Sequence, residues 1–402
     1  EAAGTYGIAQ SDYVVSVHAS EGGEEIVEKL KEDPDAYDVF VVQLGSDAWS
    51  ELLEKGYVAD LSGSQTLSAL ASGMPARMRS ALGQDEGLLA LPIEVSASSH
   101  MMNAEAMSQV TGIAYDELPT DWGGFLAMLA QLAKDGSLVG NEEYSLYDGG
   151  TDEEQVQAMI LQGLLQDACL WKLEEHKSAD DLEAVLTELL QEFGQVDWTR
   201  LGLDGDASTG TPLLMDVPVT GEVMNVDDGA EIWPLSLEAG GDRRMPQTIT
   251  VACANARSDR LDAAIEYLEH VCEAMDPLTR IAVSEDANDP VVNEDYEEDC
   301  AYAEELIAEY EQELAAMSDA EEKAMLEAEL EDLRDYAQRY EQNAKWSASE
   351  ESIAEYRSLE PEMVAVGSMV WDDQSLQESM FEFLEGRIEA VDLVAALAEW
   401  CE

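Results

Sequence analysis

The stretch YDVFVVQLGSDAWSELLEKGYVADL, Tyr37 to Leu61, carries the reading of the fold. Its first eight residues, Tyr37 to Leu44, are β-branched and aromatic enough to read as a buried strand. The helix that follows starts at Ser46 or Asp47, either of which accepts hydrogen bonds from free helix amides. It continues through Trp49, Leu52 and Leu53 to stop at Gly56. Upstream, DYVVSVHA from Asp12 to Ala19 reads as another strand, with an amphipathic helix from about Gly23 to Glu32 between the two. Strand, short helix and strand imply a βαβ unit in a parallel sheet.

Working downstream, a polar stretch with Gly and Ser leads from Leu61 to Gly87, followed by a strand from Leu88 to Val95. From Ser96 the texture turns to Ser, Met and Asn. Helices are then predicted at Ala104 to Val110, Trp122 to Leu132, Glu153 to Ala168 and Ala179 to Phe193. Strands return at Pro212 to Val219, Glu231 to Leu237 and Thr248 to Cys253, and a helix from Leu261 to Met275 closes at Pro277. The segment Glu294 to Glu341 holds 19 acids and 3 bases. Its apolar positions alternate spacings of four and three: Ala303, Ile307, Tyr310, Leu314 and Met317, then Leu326, Leu330, Leu333, Ala337 and Tyr340. Ser318 to Glu321 has the form of a capping box, so the segment reads as two antiparallel helices. Shorter helices are expected at Glu351 to Arg357, Leu376 to Glu385 and Val391 to Trp400, the last two separated by Gly386.

The chain has 402 residues with 20 basic and 88 acidic side chains, a formal charge of −68. Such a surface lacks the clustered Lys and Arg that track phosphates, which speaks against nucleic-acid binding, and its mean field opposes anionic lipids and anionic ligands. Sugars, neutral solutes and cations fit it better. With 46% apolar residues it can still fill a core, and the length suggests two lobes, since single cores stop growing near ~250 to 300 residues. No apolar run approaches the ~18 to 20 residues of a membrane helix. A start at Glu1 without Met suggests a processed or trimmed form. Cys169, Cys253, Cys272, Cys300 and Cys401 show no C-x-x-C spacing and are odd in number, so disulfides do not organise the fold.

Enzyme motifs are missing: no phosphate-binding or dinucleotide glycine loop, no H-E-x-x-H, no G-x-S-x-G and no S-x-x-K. His18, His100, His176 and His270 are too dispersed for a metal site. Asp204-Gly205-Asp206 and Asp227-Asp228 offer hard oxygens without EF-hand spacing and read as solvated loops. Paired carboxylates are too abundant to signal glycosidase chemistry. No catalytic residue, metal or cofactor is expected.

In order, Asp38 to Val42, Leu52 to Leu61, and Gly87 to Val95 with its internal Pro92 resemble the first lobe of an extracellular solute-binding protein of the ABC-importer type, sugar-binder group (family 1-like). Met102-Asn103 before the helix at Ala104, the run Leu118-Pro119-Thr120-Asp121-Trp122, and Phe383 to Ala390 with Leu393 and Leu397 continue the likeness. The resemblance implies a two-lobe α/β periplasmic-binding-protein-like fold with hinge crossings at Pro92 to Ser96 and Met245 to Cys253. It places residues 1–94 and 248–288 in lobe one and 95–247 and 345–402 in lobe two. The acidic antiparallel helical hairpin, 294–341, is an insertion that the better-known sugar binders lack, and the C-terminal tail is helical. Before the strand at Asp12 the family usually has a further strand and helix, for which only Glu1 to Ser11 remain.

Open α/β sheets hold ligands beyond the carboxyl ends of their strands. That rule and the resemblance mark Gln43, Ser46, Asp47, Trp49, Glu94, Ser96, Ser98, His100, Asn103, Thr220, Trp233 and Trp371 as candidate ligand residues. Trp49, Trp233 and Trp371 each suit a sugar-stacking face or a packing role. His100 and Asn103 suit ligand contact or a turn, and Glu94 and Ser96 suit ligand contact or the backbone at the crossing. Arg243 and Arg244 suit neutralisation of neighbouring carboxylates. The expected function is capture of a small solute, a sugar being favoured, in the interlobe cleft and delivery to the membrane subunits of an ABC importer. The expected protein is a monomeric, extracellular, cell-surface, lipid-anchored receptor rather than an enzyme. A cleft glycoside hydrolase and a surface interaction protein using the acidic hairpin are the alternatives.

Overall fold

The computed structural model describes residues 6, 13–20, 22–83, 87–141, 143–147, 152–203, 210–219, 231–317 and 320–401. Helix α1 (Gly23–Glu32) carries Glu24 and Glu25 in its first turn and Lys29 and Lys31 in its last, as the helix dipole favours, and buries Ile26, Val27 and Leu30. Strand β1 (Val39–Gln43) follows, then α2 (Asp47–Glu54), where Ser46 Oγ accepts from Trp49 N at 3.2 Å. Two helices occupy the stretch that the sequence reads only as polar: α3 (Gln65–Gly73), capped by Ser64, and α4 (Ala76–Ala81). Leu67, Leu70 and Ala71, at helical spacing, go into the core.

Strand β2 (Leu91–Met102) runs longer than the sequence suggests and leads into α5 (Ala104–Thr111) and α6 (Trp122–Asp135). After the short β3 (Tyr144–Ser145) come α7 (Glu153–Glu174), opened by an Asp152/Gln155 capping box, and α8 (Ala179–Phe193). Strands β4 (Thr211–Pro212), β5 (Leu214–Val219), β6 (Glu231–Ile232) and β7 (Met245–Ala254) complete the middle of the chain. Helix α9 (Leu261–Glu273) precedes α10 (Pro277–Val283), so Pro277 opens a helix instead of closing the region. The tail contains β8 (Val291–Val292), α11 (Tyr296–Ala316), α12 (Ala320–Asn343), β9 (Trp346–Ala348), α13 (Glu350–Leu359), β10 (Met363–Ala365), α14 (Gln374–Leu384) and α15 (Ala390–Trp400).

The main sheet has the order β1-β7-β2-β5, with β10 added to β7 and β6 to β2. Its pairings are antiparallel except β10 with β7. The parallel βαβ unit expected around α1 is therefore not formed. Residues 13–20 lie outside any strand, with Val14 and Val17 93% and 77% exposed. Among the described residues β1 pairs with β7 alone, Val39 opposite Ala254 and Gln43 opposite Thr250. β-Branched residues suit a pleated surface, but a strand needs a partner as well, and here it comes from far along the chain.

Two hydrophobic cores result. The first gathers α1 to α4, β1, the start of β2, β7, α9 and α10, and also Ala348, Ile353, Tyr356, Leu359 and Met363. The sequence grouped residues 345–402 with the second lobe, but in the structure 348–363 pack with the first. The second core gathers α5 to α8 with the tail from Val370 to Cys401. Strand β2 serves both: Leu91, Val95 and Ala97 belong to the first core and Met102 to the second. The seam residues of α11 and α12 are half-buried, with Leu330 buried, while α11 has no fully buried residue. The hairpin turn at Ser318 and Asp319 lies outside the described residues.

Candidate functional site

Where β2 passes from one core to the other, its residues Ser98, Ser99 and His100 face a cavity of about 480 Å³. Helix α7 supplies the opposite wall with Met159, Gln162, Gly163, Gln166 and Asp167. Pro234 and Leu235 close it after β6, Arg244 and Pro246 at the start of β7, and Trp371 and Gln377 from the tail. Helix α7 buries Val156, Ile160, Leu161, Leu164 and Leu165 in the second core, which fixes the cavity-facing side chains in place.

Gln166 is 2% exposed. Its Oε1 accepts from Val370 N at 2.9 Å, and its Nε2 finds no acceptor among the described residues. An unpaired buried donor is costly, so an amide held this way is prepared for an acceptor brought from outside. One turn earlier, Gly163 lets His100 lie against α7, because a Cβ there would collide with His100 Nε2. His100 also meets Trp122 edge-on, ring centroids 5.6 Å apart.

Asp167 retains some accessible surface, yet desolvation pushes its carboxyl from the ordinary 3.8 up to about 7. The Trp122 indole N–H, which donates to Oδ2 at 2.8 Å, and the charges of His100 and Arg244 act in the opposite direction. Arg244 is 8% exposed and donates to Glu175 Oε1 at 2.9 Å and to the Asp242 carbonyl at 3.3 Å. Trp371 packs on a small cluster of Leu170, Val364, Val366 and Met369, and its carbonyl accepts from Gln377 Nε2.

A second cavity of about 500 Å³ shares Arg244 and adds Arg77 and Arg243. Its arginines are neutralised: Arg243 pairs with Glu362 at 2.6 Å, Arg244 with Glu175 at 2.9 Å, and Arg77 lies 3.7 Å from Glu174. Asp35, Asp38 and Asp259 bring carboxylates together elsewhere, but Arg260 already pairs with Asp38 at 3.2 Å and Ser258 Oγ donates to it at 2.6 Å.

Of the residues that the sequence singles out, the first cavity brings together Ser98, His100 and Trp371. Gln43, Ser46, Asp47 and Trp49 sit at the end of β1 and the start of α2, away from that lining. Ser46 caps α2 and donates to Gln43 O at 2.7 Å, and Trp49 is buried in the first core. Glu94 accepts from Thr250 Oγ1 and the carbonyl of Ser96 from Thr248 Oγ1, both at 3.3 Å. Asn103 caps α5, its Oδ1 accepting from Ala106 N at 2.9 Å. Trp233 packs against the second core with its indole N–H on Pro119 O at 2.7 Å, while its neighbours Pro234 and Leu235 line the cavity. Thr220, Asp204 to Asp206 and Asp227-Asp228 lie outside the described residues. Sequence reasoning missed Gln162, Gln166 and Asp167. Their signal is present in the sequence as polar residues one turn apart inside the otherwise apolar run Ala158 to Trp171.

No protein-family model and no curated protein sequence matches the chain. Its fold is similar to that of several solved structures. They include the cyclic alpha-maltosyl-1,6-maltose binding protein from Arthrobacter globiformis (TM-score 0.51, 14% identity, covering 100% of this chain and 93% of that one). The maltose-bound T. maritima MalE3 superposes with a TM-score of 0.54 at 11% identity, covering 100% and 94%. The galacto-N-biose-/lacto-N-biose I-binding protein of the ABC transporter from Bifidobacterium longum does so with 0.53 at 11%, covering 99% and 90%. The two-lobe α/β architecture expected from the sequence is thus the architecture found.

Proposed function

We propose that this chain is a solute receptor that holds a carbohydrate in the cavity between its two cores and passes it to an ABC importer. The Gln166 amide carries the reading: a buried donor without an acceptor among the described residues, in a cavity within the ~300 to 1,000 Å³ range of small-molecule sites. Around it stand the hydroxyls of Ser98 and Ser99, the Asp167 carboxyl, the His100 imidazole and the Trp371 indole. Sugar hydroxyls both donate and accept, and the apolar face of a sugar ring stacks on an indole, so this mixture of groups matches a sugar better than a peptide or an anion. The fold likeness to the maltose-bound T. maritima MalE3 and to the lacto-N-biose I-binding protein supports the same reading.

Binding is favoured over hydrolysis because Asp167 is the single carboxylate in the cavity wall among the described residues, whereas glycoside hydrolysis employs a facing pair. Among the described residues no helix is long and apolar enough to cross a membrane. On this reading the chain works outside the membrane as a monomer, tethered by a lipid anchor and meeting the importer's membrane subunits there.

Titration calorimetry with maltose, maltooligosaccharides and lacto-N-biose tests the proposal, with peptides and polyamines as controls. Saturable binding of a sugar is expected, weakened at least tenfold in Gln166→Leu. Small-angle scattering should show a smaller radius of gyration with the bound sugar, as the lobes close over it. Absence of binding by any sugar, or release of shortened sugar products, would overturn it.

A further inference from the structure

Helix α7 meets the end of α15 at a point outside the cavity. Cys401 follows α15 as its C-cap, and its carbonyl accepts from Lys172 Nζ at 3.2 Å, with Ala398 O at 3.5 Å from the same nitrogen. Cys169 lies one turn before Lys172 on α7. Both thiols lie inside the second core, where Cys169 is 2% and Cys401 6% exposed. The neighbouring Cys169 thiol, ahead of burial, raises the Cys401 thiol above its ordinary value.

The other three cysteines have different surroundings. Cys253 is raised by burial alone, and Cys272 by burial, with Arg280 opposing and Glu273 and Glu269 adding to it. Cys300 is half-buried on the hairpin beside Tyr296. The pair thus lies on two elements far apart in sequence that the Lys172 ammonium already ties together.

We propose that Cys169 and Cys401 are an oxidation site whose disulfide fastens the C-terminal helix α15 to the helix that forms one wall of the cavity. All five cysteines are reduced in this structure. The oxidant is a small-molecule disulfide such as oxidised glutathione. Cys401 sits at the end of α15 and is the less buried of the two, so it is the thiol that reaches it. The Cys401 thiolate attacks one glutathione sulfur, the glutathione disulfide bond breaks, and the released glutathione thiolate takes up the proton that Cys401 gave up. The Cys169 thiolate then attacks the Cys401 sulfur of the mixed disulfide and expels the second glutathione, which takes the Cys169 proton. Two protein thiols are oxidised to one disulfide and one glutathione disulfide is reduced to two thiols. Cys169 lies two residues beyond Asp167 on α7, so the bond would anchor the helix close to its cavity-facing residues.

The test uses the full chain carrying Cys300→Ser, which removes the thiol best placed to link two molecules. The protein is treated with oxidised glutathione, alkylated after unfolding and mapped by mass spectrometry. The expected result is a peptide joining Cys169 to Cys401, loss of two alkylatable thiols with Cys253 and Cys272 still alkylated, and slower amide exchange in α15 after oxidation. Cys169→Ser should stop at a glutathione adduct on Cys401 and show no slowing in α15. The proposal is overturned if all thiols of the Cys300→Ser protein stay alkylatable, if the bond joins another pair, or if a mixed disulfide on Cys401 persists while Cys169 is intact.

Discussion

Asp167→Asn converts the raised carboxyl pKa into a measurable stability difference. The folded protein holds a proton on Asp167 up to about 7, whereas the unfolded chain releases it near the ordinary 3.8. The native state therefore binds more protons through that interval, and stability falls as pH rises across it, being fully retained only below the unfolded value. The interval from 3.8 to about 7, at ~1.36 kcal/mol per pH unit, amounts to ~4 kcal/mol. Part of the side chain reaches the cavity, where water screens it, which brings the expected loss to ~2 kcal/mol. Asparagine keeps an acceptor for the Trp122 N–H and cannot ionise. Urea unfolding of both proteins should then show similar stability below about pH 4 and an advantage of ~2 kcal/mol for Asp167→Asn near pH 8, reached progressively between. Titration of the other carboxylates cancels in the comparison. A stability difference that does not change with pH, or a variant less stable than wild type at pH 8, would refute the reasoning.

Trp371→Ala is expected to weaken sugar binding by ~1 to 3 kcal/mol with the fold intact, since the indole lines the cavity and is only partly buried against a small cluster; calorimetry checks the affinity and circular dichroism the fold. Gly163→Ala should lower thermal stability, because the ~1 kcal/mol gained in helix propensity is outweighed by forcing His100 off its edge-on contact with Trp122. It should also lower sugar affinity at least tenfold as His100 is displaced, so wild-type affinity in this variant counts against the site. Replacing Tyr296 to Gln342 by a short Gly/Ser linker is expected to preserve the fold and the sugar affinity, as loop closure costs grow slowly with length. The helices contribute to neither core, and their tyrosines engage each other: Tyr296 stacks on Tyr340 with centroids 6.3 Å apart, and Tyr340 Oη donates to Asp299 at 2.5 Å. A tenfold loss of affinity or failure to fold would make the hairpin integral.

Local signals in the sequence locate most of the helices, α3, α4 and α10 excepted. Ser46, Asn103, Asp121 and Ser178 each accept a backbone amide at a helix start, and such caps act within one turn, so they are visible in a short window. Gly386, with φ of 70°, separates α14 from α15 as expected. Strand pairing is different in kind. Whether Val39 to Gln43 lie beside residues 12–19 or beside Thr250 to Ala254 depends on contacts between distant segments, and periodicity carries no record of the partner. The site shows the same division. Ser98, His100 and Trp371 sit where the chain crosses between cores, which order along the sequence can suggest. The wall of α7 required knowing which side of a helix whose middle turns are apolar on nearly every face would meet the cavity.

Among the described residues, three passes of the chain place fully buried residues in both cores and frame the cavity. Strand β2 crosses once, with Ala97 in the first core and Met102 in the second, and Ser98 to His100 fall between. The start of β7 is the next pass, where Met245 enters the first core beside Arg244 and Pro246 in the cavity wall. The tail makes the third: Met363 packs in the first core, Val364, Val366 and Met369 join Leu170 of α7, and Val370 enters the second core just before Trp371. At Gly367 this last pass lies so close to the backbone of Gly45 that a Cβ would strike the Gly45 carbonyl, which ties the turn after β1 to the tail. Any closure of the lobes over a sugar must bend these three passes together, and each contributes a side chain to the cavity. On the proposed function, binding and closure would be coupled through the same residues.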